Sequence, residues 1–195
     1  MTRWFTADLH FGHVNIIRYC ARPFASVAEM DDALVARWND VVADDDEVYV
    51  LGDVALGPIA ATLPLVGRLR GTKLLVPGNH DRCWPGHGPK AEGWVERYLD
   101  AGFAAVLPEV VELQLGGTAA LACHFPYRGD SHAEERFLPH RPTDDGRVLL
   151  HGHVHTSWRV DGRQINVGCD VWEYRPVAEA ELIAVLKDVS KNGSP

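Results

Sequence analysis

The sequence predicts an α/β protein, because short apolar runs typical of buried strands alternate with segments of helical periodicity. Several of the strand-like runs end in polar turns that contain glycine, aspartate, asparagine or histidine. A hydrophobic content of 46% with 24% charged residues is ordinary for a globular chain. The length of 195 residues suits one domain, which we predict over residues 1–189, followed by a disordered tail at 190–195.

The N-terminal half is predicted to contain three strands and two helices. The strands are apolar runs that lead into polar turns, namely Arg3–Ala7, Glu47–Leu51 and Lys73–Val76. Ser26 and Glu29 have the spacing of a capping box, which predicts that a helix begins there. Apolar residues then follow at helical intervals, at Met30, Leu34, Trp38 and Val41. The second helix is predicted between Gly57 and Arg70.

The C-terminal half is predicted to be richer in strands. Five segments have strand-like patterns, namely Val110–Leu115, Thr118–Cys123, Arg147–Leu150, Trp158–Val160 and Gln164–Val167. Turns at Gly116–Gly117 and Asp161–Gly162 would join four of them into two hairpins. Helices are predicted at Lys90–Ala101 and Ala178–Asp188. The charged, proline-containing stretch 128–146 shows no periodicity, and we interpret it as either a lid over a site or a surface loop.

The charge balance restricts the classes of partner. A net charge of −8 and a pI near 5.6 argue against broad binding to nucleic acid or to an anionic membrane, although a small phosphate-bearing substrate is compatible with them. The sequence has no basic leader before a long apolar run, so we expect a cytoplasmic protein. Its four cysteines lack C-x-x-C spacing, which favours reduced thiols over a zinc knuckle or a disulfide scaffold.

The segment LLHGHVHT, residues 149–156, places three histidines on alternate positions after an apolar run. In an extended chain a period of two directs His151, His153 and His155 to the same side. This arrangement suits metal binding, but histidines that form hydrogen bonds in a sheet would give the same pattern. The rest of the chain has to distinguish the two interpretations.

Other polar residues with metal-binding side chains also follow strand-like runs, at Asp8, His10, Asp53, Asn79, His80 and His124. Each has a simple explanation by itself, because aspartate and asparagine favour turns and a histidine can cap a strand. Together, carboxylates, imidazoles and an amide oxygen form a ligand set for a pair of divalent cations. The sequence therefore indicates a metal site where several strands end.

The blocks D-x-H, G-D, G-N-H-D, H and G-H-x-H occur in this order between Asp8 and His155. In this arrangement the chain resembles the calcineurin-like metallophosphoesterase superfamily. The segment NVGCDVWEYRP, residues 166–176, is similar to the closing segment of its small bacterial and phage members. The resemblance implies a four-layer αββα sandwich of two mixed β-sheets flanked by helices, with the site where strand-to-helix loops converge.

The resemblance implies seven metal ligands: Asp8, His10 and His155 on one cation, Asn79, His124 and His153 on the other, and Asp53 bridging the two. His151 lies outside the G-H-x-H block, so we expect it to be structural or to support a ligand. Two divalent metal ions are implied as cofactors. Mn²⁺ is favoured, with Fe, Zn²⁺, Ni²⁺ or Co²⁺ as alternatives.

The resemblance also implies hydrolysis of a small phosphoester by a hydroxide that bridges the two metals. His80 would be a catalytic residue that protonates the leaving oxygen or stabilises charge on the phosphate. Asp81 would either orient His80 or stabilise the turn. Analogy with similar small members favours a phosphodiesterase acting on nucleotide-like or other organic diesters. A phosphomonoesterase and a non-catalytic metal-binding scaffold are the alternatives.

Two further residues are candidates for substrate binding. His13 lies three positions after His10, from which it would reach the substrate or support a metal ligand. Arg128 follows His124 closely and would clamp phosphate oxygens, unless it is an ordinary solvated arginine.

Overall fold

The computed structural model describes the backbone of residues 1–192 and the side chains of residues 1–188. In this range the strands are β1 Arg3–Thr6, β2 Glu47–Val50, β3 Thr72–Leu75, β4 Phe103–Val106, β5 Val110–Leu115, β6 Thr118–Cys123, β7 Val148–His151, β8 Val160–Asp161, β9 Gln164–Asn166 and β10 Val177–Ala178. The α-helices are α1 Val14–Tyr19, α2 Val27–Val41, α3 Ile59–Thr62, α4 Glu92–Asp100 and α5 Glu179–Asn192. Single turns of 3₁₀-helix occur at Leu138–His140 and Cys169–Val171, and a longer 3₁₀-helix occurs at Leu63–Arg68. Pro85–Lys90 contains two 3₁₀ turns separated by a kink at Gly88.

The first sheet has the strand order β10–β1–β2–β3–β4. Strands β1 to β4 are parallel to one another, and β10 pairs antiparallel with β1. Since parallel strands end at the same edge of a sheet, the loops after β1, β2 and β3 emerge side by side.

The second sheet has the strand order β5–β6–β7–β9–β8. Its central strands β6, β7 and β9 are parallel, whereas β5 and β8 pair antiparallel at its two edges. Two mixed five-stranded sheets flanked by helices confirm the predicted fold class.

The alternation of side chains along the strands produces separate hydrophobic layers. Val48 and Val50 of β2 pack with the apolar stripe of α2, for example with Leu34. Phe5 of β1 and Leu150 of β7 instead belong to a cluster that joins the two sheets. All four of these strand side chains are fully buried, and burying each stabilises the fold by about 1.5–3 kcal/mol. This packing fixes the position of one sheet relative to the other.

Helix α2 begins as predicted, with Ser26 Oγ accepting a hydrogen bond from the Glu29 N–H at 3.2 Å. The prediction of one helix between Gly57 and Arg70 is wrong. The chain forms only the single turn of α3 and then a 3₁₀-helix that contains Pro64. Proline has no N–H to donate and its ring opposes a regular α-helix, so the segment changes geometry there.

Three short elements were not predicted: α1, β4 and β10. Helix α5 extends to Asn192, so the disordered tail predicted for residues 190–195 overlaps its last turn, while 193–195 lie outside the described residues. Among the described residues, no helix has both the length and the apolar character needed to cross a membrane.

Candidate active site

Loops from both sheets meet at one edge of the molecule. The N–H groups of Asp8 and His10 donate to the carbonyls of Gly52 and Asp53, which joins the loops after β1 and β2. The N–H of Gly152 donates to the His124 carbonyl, which joins the loops after β6 and β7 of the second sheet. A parallel bridge between Ala7 and Gly168 links the two sheets beside the site. The polar strand ends identified in the sequence are thereby brought together.

Asp53 lies at the centre of this cluster. Its Oδ2 is 3.5 Å from Nε2 of His124, 3.8 Å from Nε2 of His10 and 3.9 Å from Nε2 of His80. Its Oδ1 accepts a hydrogen bond from the backbone N–H of His80 at 2.9 Å. Because Asp53 is only 1% exposed, these neighbours rather than bulk water must stabilise its charge.

Three atoms with free lone pairs converge here, from His124, Asn79 and Asp53 itself. The Leu51 carbonyl accepts a hydrogen bond from Nδ1 of His124 at 2.8 Å, so in the neutral ring Nε2 carries the lone pair. This Nε2 lies 3.2 Å from Oδ1 of Asn79 and 3.5 Å from Oδ2 of Asp53. Neutral Nε2, an amide oxygen and a carboxylate oxygen offer no proton to one another. A divalent cation between them would satisfy all three, so these residues fit a metal ion.

A second group consists of Asp8, His10 and His155, whose ligand atoms all lie within 4.8 Å of one another. Both ring nitrogens of His10 are buried and have no hydrogen-bond partner among the described residues. An imidazole buried in this way is destabilising unless something else occupies its lone pair. Asp8 also groups with Asp53 and His124 within the same distance, so the two clusters are contiguous.

His153 is held by a residue that the sequence did not reveal. Its Nε2 lies 3.1 Å from Oδ2 of Asp130, which itself receives hydrogen bonds from the guanidinium groups of Arg136 and Arg141. The ring of His153 is 5.3 Å from that of His124, between centroids. With Nε2 donating to the carboxylate, Nδ1 is the nitrogen left to bind a cation.

His155 is supported by Asp170, which the sequence did not reveal either. Its Nδ1 is 3.4 Å from Oδ2 of Asp170, and both oxygens of this carboxylate accept hydrogen bonds from Arg22, at 2.8 and 2.9 Å. Arg22 is 3% exposed and also donates to the carbonyls of Asp8 and Leu9. Arg22 therefore fixes the backbone at Asp8 and the carboxylate behind His155, and it faces the protein rather than a phosphate.

Five of the predicted ligands have a left-handed backbone, with φ of 58° at Asp8, 55° at His10, 55° at Asp53, 72° at His153 and 50° at His155. A non-glycine residue in this region costs about 1–3 kcal/mol and persists only where the surroundings impose it. One such restraint is the His153 N–H, which donates to the Asp8 carboxylate at 3.0 Å. Backbone strain is thus concentrated in the site.

The glycines of the sequence blocks permit close approach to the ligands. A Cβ at Gly78 would lie 2.5 Å from Oδ1 of Asp53, and one at Gly152 would lie 2.7 Å from Oδ2 of Asp8. Both distances are shorter than any real contact of a Cβ atom. The glycine in G-N-H-D and the glycine in G-H-x-H are therefore required by space at the carboxylates.

The electrostatics of the site favour the cation-binding form at three of the predicted ligands. Burial, reinforced by the nearby ring of His155, holds the pKa of His10 well below its usual value. Burial lowers the pKa of His153 to about 3, and His124 acts in the same direction. Burial opposes ionisation of Asp53, but the neighbouring histidines lower its pKa, and His124 has the largest effect among them. Neutral imidazoles and an ionised carboxylate are the states that metal binding requires.

Asp8 and His155 differ from these three residues. Burial raises the pKa of Asp8. Burial opposes protonation of His155, but the charge of Asp8 and the hydrogen bond to Asp170 raise the pKa of His155 well above its usual value. A cation that binds here would have to displace the proton that this pair holds.

The two predicted catalytic residues occupy different environments. His80 is half-exposed at the edge of the cluster, where its ring centroid is 5.5 Å from that of His10. Asp81 is fully buried, and its carboxylate accepts hydrogen bonds from the N–H groups of Asp53, Val54 and Gly78. Burial and the charge of Asp53 raise the pKa of Asp81 to about 6. Of the two roles considered for Asp81, the structure supports stabilisation of the turn that carries Asp53, not orientation of His80.

His13 and His151 lie beside the cluster in different ways. His13 is partly buried with its ring centroid 5.3 Å from that of His10, which is compatible with either role expected for it. His151 is the last residue of β7 and fully buried, with Nδ1 2.7 Å from the Gly152 carbonyl and its ring against Trp158. It belongs to none of the compact groups of possible ligands among the described residues.

Arg128 does not have the predicted role of a phosphate clamp. Its guanidinium forms two hydrogen bonds with the Asp161 carboxylate, at 3.1 and 3.0 Å, and its side chain is 65% exposed. The pair connects the start of the 128–146 segment to the last residue of β8. Other residues of this segment do reach the site, because Asp130 contacts His153 and Phe137 packs 5.6 Å from the same ring.

Comparison with known proteins places this geometry in a family. The Calcineurin-like phosphoesterase superfamily domain matches residues 1–174. The chain is 38% identical over 178 residues to the Gene 66 protein of Mycobacterium phage D29, covering 87% of this chain and 88% of that protein. It is 44% identical over 194 residues to the uncharacterized protein MJ1445 of Methanocaldococcus jannaschii, covering 95% and 90% of the two chains.

A solved structure has the same fold. The protein of unknown function AQ665 from Aquifex aeolicus superimposes with a TM-score of 0.71 at 23% sequence identity, over 94% of this chain and 98% of that chain. The domain match covers most of the sequence and contains every block from D-x-H to G-H-x-H. This chain belongs to the calcineurin-like phosphoesterase superfamily and is a metal-dependent hydrolase of phosphoric esters.

Proposed function

We propose that the protein is a dinuclear-metal phosphodiesterase that acts on small nucleotide-like or other organic phosphodiesters. The observation that carries this proposal is the position of Asp53 Oδ2, within 3.8 Å of Nε2 of both His10 and His124. These histidines belong to two adjoining groups of possible ligands that share Asp8. A carboxylate between two such groups is suited to bridge two cations.

Asp8, His10 and His155 would hold one cation, Asn79, His124 and His153 would hold the other, and Asp53 would contribute to both. The unpartnered nitrogens of His10 support the first group, and the convergence of lone pairs at His124 and Asn79 supports the second. Carboxylate, imidazole and amide ligands suit Mn²⁺, which we favour, and also Fe, Zn²⁺, Ni²⁺ or Co²⁺.

When bound, the cations would activate water for attack on phosphorus and neutralise charge on the phosphate oxygens. The protein residues would supply binding, orientation and proton transfer. Asp130 and Asp170 would hold the rings of His153 and His155 at fixed angles. His80, half-exposed and 3.9 Å from Asp53 Oδ2, would donate a proton to the leaving oxygen or stabilise charge on the phosphate.

A phosphodiester is favoured over a monoester because of the space beside His80. A cavity of about 240 Å³ adjoins His80 and Asn79, which leaves room for a second ester arm of the substrate. The principal alternative is a phosphomonoesterase of the same fold. A non-catalytic metal-binding scaffold is the further alternative, and it is disfavoured because every proposed ligand and His80 are present in the sequence.

The test is hydrolysis of bis-p-nitrophenyl phosphate beside p-nitrophenyl phosphate, by protein stripped of metal and then reloaded with Mn²⁺. Asp53→Asn should abolish turnover, since it weakens both cations at once. Asp32→Asn is the matched control, because it changes an aspartate that is 67% exposed on α2. Cleavage of the monoester alone would establish a phosphatase instead. If the protein binds two metals but hydrolyses neither ester, the result would favour the non-catalytic metal-binding scaffold.

A further inference from the structure

A cavity of about 240 Å³ opens beside the site on the side of His80. Asn79 and His80 line the wall that it shares with the metal-binding cluster. Backbone and apolar side chains of residues 55–59 form another wall, and Arg82 and His87 complete the lining. A substrate held at the cluster would therefore extend into this cavity past His80.

The residues that line the cavity differ in charge from the chain as a whole. The chain carries 27 acidic and 19 basic residues, yet none of the residues that line the cavity is acidic. Arg82 supplies a permanent positive charge, and His87 and Asn79 add groups that can donate hydrogen bonds. The lining is thus complementary to an anion, in contrast to the net charge of the whole chain.

The Arg82 guanidinium is available to a ligand. Among the described residues it forms no ion pair and no side-chain hydrogen bond, whereas most other arginines of the chain are engaged with carboxylates or carbonyls. Its backbone N–H is fixed by the Tyr98 hydroxyl at 2.9 Å, and its guanidinium lies 5.9 Å from the Trp94 ring centroid. The Arg82 backbone is therefore fixed, and the guanidinium packs near Trp94 with its N–H groups unpaired among the described residues.

We propose that this cavity binds an anionic group on the leaving arm of the substrate. The proposal rests on the function proposed above, because His80 connects the cavity to the bond that breaks. It narrows the substrate class to phosphodiesters whose departing alcohol carries a second anionic group, such as a carboxylate or a further phosphate. Arg82 would bind that group through paired N–H donors, with His87 beside it.

The experiment compares two substrates whose leaving groups are both nitrophenols. Methyl 2-nitrophenyl phosphate has an uncharged leaving arm, and methyl 4-carboxy-2-nitrophenyl phosphate has the same ring with a carboxylate added. Both are assayed with Mn²⁺-loaded wild type, Arg82→Gln and Arg97→Gln. Arg97 is the matched control because it also stacks on Trp94, at 4.5 Å, but does not line this cavity.

We expect the wild type to favour the carboxylated diester by about fivefold to tenfold in kcat/KM, as for one charge-assisted contact. Arg82→Gln should remove this preference, whereas Arg97→Gln should retain it. Equal kcat/KM for the two esters, or a preference that survives in Arg82→Gln, would overturn the inference while leaving the diesterase intact. Hydrolysis of neither ester would overturn both proposals.

Discussion

The carboxylate of Asp130 lies 3.1 Å from Nε2 of His153, although the two residues are 23 positions apart. Asp130 is 9% exposed and is held in turn by Arg136 and Arg141, which come from the same 128–146 segment. Carboxylates that accept the distal N–H of a metal-binding histidine fix its tautomer and raise its basicity. A segment without regular periodicity thereby acts on the site through one side chain.

Asp130→Asn should weaken metal binding at the cation that His153 serves, by about 10- to 100-fold. The amide is a poorer acceptor than the carboxylate, so the ring would be held less firmly at the productive angle. Equilibrium dialysis against Mn²⁺ with elemental analysis would measure the change. Arg136→Gln is the control, because it removes the guanidinium that donates two hydrogen bonds to Asp130 but leaves the carboxylate on His153. Equal weakening in both variants would point to the loop as a whole, not to the carboxylate.

His80→Ala should lower kcat for a diester by about 10²- to 10⁴-fold without changing metal content. The reason is that His80 is half-exposed beside Asp53 and is not among the proposed ligands. Turnover and elemental analysis on the same preparation separate the two effects. A variant as fast as the wild type would remove His80 from the chemistry, and loss of a cation would make it a ligand.

His151→Ala should retain two metals per chain. Its Nδ1 faces the Gly152 carbonyl and its ring packs near Trp158, so the substitution removes packing within the second sheet and not a ligand. We expect a lower melting temperature with unchanged metal stoichiometry. A content of one metal per chain would show that His151 is a ligand and that the roles of His151, His153 and His155 had been assigned wrongly.

Asp46→Asn should change the pH dependence of stability. The Asp46 carboxylate accepts hydrogen bonds from the N–H groups of Thr2 and Ala43 and from Trp4 Nε1, and these contacts lower its pKa. A lowered pKa in the folded state stabilises the protein above the unfolded value, near 4, and this stabilisation is lost as the pH falls further.

Urea unfolding of metal-free protein between pH 6 and pH 3 would measure this effect. The difference in the free energy of unfolding between wild type and Asp46→Asn should be largest at pH 6 and shrink toward pH 3. Asp45→Asn, at a neighbouring position that is 77% exposed, is the control and should alter little. A difference that grows on acidification would contradict the assignment.

The sequence was sufficient to predict that most of the proposed metal ligands lie close together, because these residues follow the ends of strands. Parallel strands place their carboxyl ends at one edge, so Asp8, Asp53 and Asn79 are neighbours as soon as β1, β2 and β3 are aligned. The strand β10 escaped prediction because two residues carry no measurable period, and it exists only by pairing with β1.

Residues that support the ligands could not be read from local patterns. Arg22 and Asp170 are 148 positions apart, and only the folded chain brings them together behind His155. Arg128 illustrates the opposite error, since proximity to His124 in sequence suggested a phosphate clamp while the side chain binds Asp161. Sequence proximity fixes neither the direction of a long side chain nor its partner.

The proposed metal ligands lie on both sides of the junction between the two sheets, with Asp8, His10, Asp53 and Asn79 on loops of the first sheet and His124, His153 and His155 on loops of the second. Bound cations would therefore act as a cross-link, and their affinity would report on how well the sheets are docked. A cavity-forming change such as Leu150→Ala, in the layer between the sheets, would then release metal although every ligand remained in place. Metal content would thus measure how well the hydrophobic core between the sheets is packed, as well as whether the ligands are intact.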